Sequence, residues 1–264
     1  MRYGVCSKRK ILTECGLSDF AYQIDPYIGC EHQCQYCYAL NDAGCEWDSE
    51  ILIHENIIEQ LKEEIANIQP QKIYFGYTTD PYQQSEMKYK QTRKVLSFLH
   101  EKGFSAGVLT KSDLFIRDLD VLTQMEDASV SISVSFDNDF DRKCFEENTI
   151  NTFDRIEALK IAKHCGLKTS ALLCPVIPYI TSVEYFVELL APIVDKILIY
   201  PLSVLDTTDR SWQNVRSILA SDYPTKKEKI EDAIFSRDNF YWTTLRDKLN
   251  YLDKHVNCEL EIHV

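Results

Sequence analysis

Short apolar runs alternate with amphipathic stretches along most of the chain. Residues 54–68 set Ile57, Ile58, Leu61, Ile65 and Ile68 at helical spacing, with Glu and Gln opposite. The run at 72–75 then reads as a buried strand. Residues 85–102 read as a helix, with Thr92, Val95, Leu96 and Leu99 on one side and Gly103 as its stop. The alternation continues with a strand at 108–109, a helix at 117–125, a strand at 130–136 and a helix at 152–165 stopped by Gly166. A strand at 168–174, a helix at 182–190 and a strand at 196–200 follow. With a first strand at 22–28 this makes six β/α units, and predicts an α/β fold, a partial (β/α)6 TIM-like barrel. After residue 205 the character changes. Segments 226–236 and 238–256 are helical by pattern, and 259–264 reads as a final strand. Residues 1–205 are therefore expected to form the barrel, and 206–264 a C-terminal helical extension packing on it.

The strand at 130–136 has two distinct faces. Val130, Ile132, Val134 and Phe136 alternate with Ser131, Ser133 and Ser135. A parallel strand covered on both sides is apolar throughout. The serines therefore mark either an edge strand with a wet face or a barrel strand lining a polar lumen.

Composition narrows the partners. A chain of 264 residues with 45% hydrophobic content can bury a core without disulfides. Its 29 basic and 41 acidic residues give a net charge of −12, which disfavours binding to nucleic acid or anionic membranes. The basic runs Lys8-Arg9-Lys10 and Lys226-Lys227 are expected to be solvated. No apolar stretch is long enough to cross a bilayer, and the charged segment 1–12 does not read as a secretory signal. A cytoplasmic location with reduced thiols is expected, so the ten cysteines need purposes other than disulfides.

Three of them form a constellation in Asp25-Pro-Tyr-Ile-Gly-Cys30-Glu-His-Gln-Cys34-Gln-Tyr-Cys37-Tyr-Ala39. Thiolates at C-x3-C-x2-C spacing can converge on one centre, and soft ligands select zinc or iron–sulfur clusters. A closed zinc site takes four ligands, and so does a cluster with full thiolate ligation. Three thiolates leave one metal position open, which suits catalysis. The alternative is a zinc site that borrows His32 or Cys45.

The C-x3-C-x-φ-C pattern, with Tyr36 just before the third cysteine, resembles the signature of the radical S-adenosylmethionine (SAM) superfamily. Several further segments resemble its spore photoproduct lyase-like branch. These are the stretch around Cys30, Thr78-Thr-Asp80-Pro-Tyr-Gln83 with Glu86 and Arg93 downstream, Leu109-Thr-Lys111-Ser112 followed by Arg117-Asp-Leu-Asp120, and Pro175-Val-Ile-Pro178. The resemblance implies a [4Fe-4S] cluster held by Cys30, Cys34 and Cys37, with S-adenosyl-L-methionine bound at the fourth iron. It implies reductive cleavage to a 5′-deoxyadenosyl radical that abstracts hydrogen from a substrate, and an external electron donor such as a flavodoxin or ferredoxin. It also implies contacts to SAM from Tyr36, Thr79, Lys111 and Ser133, while Glu147 and Arg155 match an acidic–arginine pair of the branch. Plainer readings stand beside these. By residue type alone Tyr36 reads as packing, Lys111 as a solvated lysine, Asp80-Pro81 as a helix cap, and Glu147 with Arg155 as an exposed pair.

The sequence also departs from the branch. Spore photoproduct lyases carry a hydrogen-donor cysteine immediately before their Thr-Ser-Asp stretch, whereas Tyr77 stands there in Gly76-Tyr77-Thr78-Thr79-Asp80. They also have a long segment before the cluster, and Glu-Pro where this chain has Glu147-Asn148. With the acidic balance, these departures argue against a DNA lesion lyase. Tyr77 and Cys174, which ends a strand beside Pro175, become the candidate hydrogen donors. Cys165 and Cys258 are expected to be buried, and Cys6, Cys15, Cys45 and Cys144 need no special role. The competing functions are a non-catalytic iron–sulfur electron-transfer or scaffold protein and a zinc-stabilised binding module. Substrate specificity is expected in the tail, which holds Trp212, Tyr223, Tyr241 and Trp242.

Overall fold

The computed structural model describes all residues except Lys8, so that member of the basic run at 8–10 lies outside the described residues. Eleven strands occur in chain order among the described residues: β1 (Arg2–Cys6), β2 (Leu12–Glu14), β3 (Tyr22–Ile24), β4 (Tyr27–Ile28), β5 (Glu50–His54), β6 (Lys72–Phe75), β7 (Ser105–Thr110), β8 (Ser129–Ser133), β9 (Lys168–Val176), β10 (Lys196–Pro201) and β11 (Glu259–Ile262). Eight form the main sheet in the order β11-β10-β9-β8-β7-β6-β3-β2. Every pairing in it is parallel except β2 with β3, so seven strands point the same way. The remaining three make a small sheet, β1-β5-β4.

Alternation along the strands builds the core. Ile73, Phe75, Val108, Val130, Ile132, Ala171, Leu173, Ile197 and Ile199 lie on one face of the main sheet at 0–1% exposure, beneath the connecting helices. Apart from Ala171, each of these side chains contributes about 1.5–3 kcal/mol by burial. Strand β8 sits between β7 and β9 rather than at an edge, so its serines belong to the opposite face, where Ser131 is half-buried and Ser133 buried. That removes the wet-edge reading.

Several elements differ from their sequence-derived bounds. The strand expected at 22–28 splits into β3 and β4, which join different sheets. Pro26 lacks an N–H, and the Asp25 carboxylate accepts the backbone N–H groups of Tyr77 and Thr78 at 3.1 Å each, which turns the chain there. The helix expected at 85–102 breaks into Glu86–Tyr89 and Gln91–Glu101 at Lys90, whose φ is +53°. The buried Glu86 carboxylate accepts from Thr92 N at 2.9 Å and Arg93 N at 3.2 Å, serving the second helix as an N-terminal acceptor. The helix expected at 117–125 is a 3-10 turn, Leu114–Asp118, followed by the short Leu119–Leu122.

The chain after residue 205 is woven into both cores. Trp242, Leu245 and Leu249 of the Phe240–Asp253 helix enter the main core, and β11 pairs with β10. Trp212, Val215 and Leu219 of Arg210–Asp222 pack with Phe136, Phe145 and Ile177 in a second cluster. The start of that helix also reaches the cysteine loop region, where Ser211 N donates to Asn41 at 3.2 Å and Arg210 pairs with Asp48 at 2.6 Å. Cys165, expected to be buried, is exposed, because it follows the last turn of Thr152–His164 and precedes the left-handed Gly166.

Candidate active site

In a parallel sheet every strand ends on the same edge, and barrel active sites gather at that carboxyl edge. The cysteine loop leaves β4 through Gly29, whose φ is +85°. A Cβ at Gly29 would meet Cys45 Sγ at 2.8 Å and the Glu50 carbonyl at 2.9 Å, so only glycine fits. The Thr79 hydroxyl donates to the Gly29 carbonyl at 2.5 Å. Gln83 donates to that carbonyl at 3.3 Å and accepts from Glu31 N at 2.7 Å. Thus the turn after β6 anchors the start of the cysteine loop. Asp80 in that turn takes Tyr82 N at 2.8 Å, Thr110 Oγ1 at 2.7 Å and Lys111 N at 2.7 Å. His32 Nε2 lies 3.1 Å from Asp80 Oδ2, close enough for ion pairing but off the line of a hydrogen bond. Burial alone would raise the Asp80 carboxyl; His32 and the hydrogen bonds hold it down at about 2.

Cys30 and Cys34 are buried and Cys37 is half-buried, all as free thiols. Burial pushes each thiol up, Cys30 to about 12, and the three influence one another electrostatically. The Lys111 ammonium acts in the opposite direction on Cys34 and Cys37, since a cation favours thiolate. Its Nζ sits 5.8 Å from the Tyr36 ring centre and 4.0 Å from Glu146 Oε1. Glu146 is fully buried and also accepts from the Tyr36 hydroxyl and from Arg155 Nη2, the latter at 2.7 Å. Arg155, 1% exposed, donates further to the Ser133 carbonyl at 2.9 Å and the Ile150 carbonyl at 3.1 Å.

The partner of Arg155 is therefore Glu146, while the expected Glu147 is exposed. Helix phase explains the difference: Arg142, Phe145 and Glu146 share the buried face of Asp139–Glu146, and residue 147 falls off it. Neither Glu146 nor the His32–Asp80 pair was singled out from the sequence; the buried i, i+3, i+4 pattern of that helix was the available signal. Ser133 Oγ donates to the Cys174 carbonyl at 3.2 Å. Two residues on, the Ser135 hydroxyl is buried without a hydrogen-bond partner among the described residues. The Cys174 thiol is pushed up to about 11 by burial, against the pull of Lys111, and it senses Cys37 and Glu146 as well. Tyr77 stands apart. Its ring packs against Tyr38 and Tyr74 at 6.0 and 6.5 Å, and its hydroxyl lies over Gly16, where a Cβ would be 2.3 Å away.

Three soft thiols in one loop are a donor set that suits an iron–sulfur cluster. Among the described residues no three His, Cys, Asp or Glu side chains group around one metal ion. Thiolates of an iron–sulfur cluster bind different irons and need not meet at a point. His32 is committed to Asp80, and Cys45 lies behind Gly29.

A mostly parallel α/β sheet thus carries a three-thiol loop, the half-buried Lys111 and the buried Glu146 near its carboxyl edge, the edge where barrel-type enzymes place their sites. The model of the radical SAM superfamily matches residues 24–191, and the chain belongs to that superfamily. Its members use a [4Fe-4S] cluster and S-adenosylmethionine. An uncharacterised protein of Methanocaldococcus jannaschii is 29% identical over 219 residues, 80% of each chain. The fold is similar to that of a spore photoproduct lyase mutant with bound AdoMet and dinucleoside spore photoproduct, with TM-score 0.71, 16% identity, and coverage of 99% of this chain and 82% of that one. Coproporphyrinogen III oxidase from Escherichia coli, a radical SAM enzyme, matches at TM-score 0.56 and 15% identity over 86% of this chain and 50% of that one. No helix among the described residues is long and apolar enough to cross a membrane.

Proposed function

We propose that this protein cleaves S-adenosyl-L-methionine reductively at a [4Fe-4S] cluster held by Cys30, Cys34 and Cys37, and directs the resulting 5′-deoxyadenosyl radical at a substrate hydrogen. The observation that carries this reading is the gathering of three thiols, Lys111 and the Glu146–Arg155 pair at the carboxyl edge of one parallel sheet. When bound, the cofactors supply the radical chemistry; the chain supplies binding, orientation and exclusion of side reactions. Lys111 offers its cation to the SAM carboxylate or ribose edge, with Tyr36 beside it. Ser133 and the unpartnered Ser135 hydroxyl present polar groups on the same rim. Thr79 acts on the cofactor site through the loop it anchors, and Arg155 through Glu146 rather than Glu147.

Cys174 is the better placed hydrogen donor, since its thiol shares the field of Lys111 and Cys37, whereas the Tyr77 hydroxyl is packed on Gly16. Electrons come from an external donor of the flavodoxin or ferredoxin type. A six-unit barrel over 1–205 with the tail closing its mouth, working in the cytoplasm, completes the proposal. The net charge of −12 and Tyr77 in the lyase cysteine position support a substrate other than damaged DNA.

The test is anaerobic purification, iron and sulfide analysis, and incubation with SAM and a strong reductant. Expected are about four irons per chain and 5′-deoxyadenosine, both lost in Cys34→Ala. Iron without cleavage would favour an electron-transfer protein, and zinc without sulfide a binding module.

A further inference from the structure

The site described so far uses the loop that leaves β4 and the ends of β6, β7, β8 and β9. Beyond β9 the main sheet continues with two parallel strands, β10 and β11, and their ends carry Tyr200 and His263. The register places Ile199 beside Leu173, with a bulge before Pro201, so Tyr200 follows on the strand next to Cys174. Cys174 and Tyr200 are both half-exposed and alternate with the buried Leu173 and Ile199, which puts them on one face. His263 N donates to the Ile199 carbonyl at 3.0 Å, which aligns His263 with Tyr200. Their rings stack at 4.1 Å and 10°.

Glu261 ties this row together. Its Oε1 accepts the Tyr200 hydroxyl at 3.0 Å and contacts His263 Nε2 at 2.6 Å, and its Oε2 takes Lys196 Nζ at 2.5 Å. Three donors already engage the carboxylate, two on Oε1 and one on Oε2. What it does is hold an imidazole. With Nε2 committed to Glu261 and one ring face covered by Tyr200, Nδ1 is left without a hydrogen bond among the described residues. The side chain is still 43% exposed. A carboxylate-held imidazole with its second nitrogen open accepts a hydroxyl, amine or ring N–H, and takes that proton if the group becomes acidic. An ordinary solvated ion pair needs neither the stack nor the alignment with Cys174.

We propose that His263, positioned by Glu261 and Tyr200, is a substrate-contacting residue. It would receive a small polar molecule that presents an O–H or N–H donor, at the strand ends beyond Cys174. Any proton transfer moves H⁺ from the substrate heteroatom to Nδ1, with Glu261 stabilising the imidazolium and no electrons exchanged. This rests on the radical SAM reading, and it extends the rim to the last strand of the sheet.

The test uses cluster-loaded protein and, as probe, a protein-free small-molecule filtrate from the organism that encodes the chain. The readout is the ratio of 5′-deoxyadenosine formation with and without filtrate, at matched iron and sulfide content. Wild type should be stimulated. His263→Ala should lose about ten- to a hundredfold of the filtrate-dependent increment, Glu261→Gln should lose part of it, and added imidazole should restore the alanine variant. Full stimulation of His263→Ala overturns the proposal, and so does loss that imidazole cannot restore. A filtrate without effect on wild type rejects the small polar substrate class. Absence of 5′-deoxyadenosine from every sample instead overturns the radical SAM reading.

Discussion

Replacing Arg155 with methionine keeps the apolar stem and removes the guanidinium from a site where every neighbour depends on it. Lost are the 2.7 Å contact to Glu146 Oε2, the hydrogen bond to Thr149 Oγ1, and the hydrogen bonds to the Ser133 and Ile150 carbonyls at 2.9 and 3.1 Å. Glu146, at 0% exposure, would be left as a buried carboxylate. Breaking a buried pair from one side costs about 3–5 kcal/mol, because desolvation of the remaining charge is no longer offset. The Tyr36 hydroxyl and Lys111, at 4.0 Å, still face the carboxylate, which places the loss near the lower end, about 3 kcal/mol. For a chain of this size that corresponds to roughly 6–12 °C in Tm. Urea unfolding of the cluster-free chain measures it. In a background of Glu146→Gln the same substitution should cost only about 1–2 kcal/mol, since a neutral amide leaves no orphaned charge. A loss below about 1 kcal/mol for Arg155→Met in the wild-type background, or equal losses in both backgrounds, would refute this account of the network.

Further outcomes follow from the other anchors. Thr79→Val removes the donor to the Gly29 carbonyl and should lower stability by about 1–3 kcal/mol, and it should reduce iron retained per chain on dilution. Undiminished iron retention with a weakened Kd for SAM would make Thr79 a direct cofactor contact instead. Glu261 is held at about 2, well below its ordinary 4.5, first by Lys196 and then by His263. A lowered folded-state pKa contributes stability above the ordinary value, and this is lost as pH falls through the folded one. Wild type should therefore lose Tm between pH 4.5 and 2 more steeply than Glu261→Gln, as read by thermal melts across that window. Parallel curves would remove Glu261 from the acid response.

The sequence by itself determined the alternation of strands and helices and the thiol loop, because both are local. A strand's two faces show in every second residue, and the C-x3-C-x2-C spacing is complete within eight positions. The two faces of the strand expected at 130–136 were legible too, but the strand itself is β8, Ser129–Ser133, and its place in the sheet was hidden, because pairing order depends on contacts far along the chain. Tertiary structure decided which of two adjacent glutamates meets Arg155. A one-residue step on a helix is a turn of about 100°, and only packing reveals the buried side. Tertiary structure also decided that Thr79 spends its hydroxyl on the Gly29 carbonyl, 50 residues away in sequence. It brought residues 259–262 beside β10, which carried Glu261 and His263 to the rim that Cys174 occupies. Such long-range convergence leaves no periodic trace in the chain, since the partners are joined only by the fold.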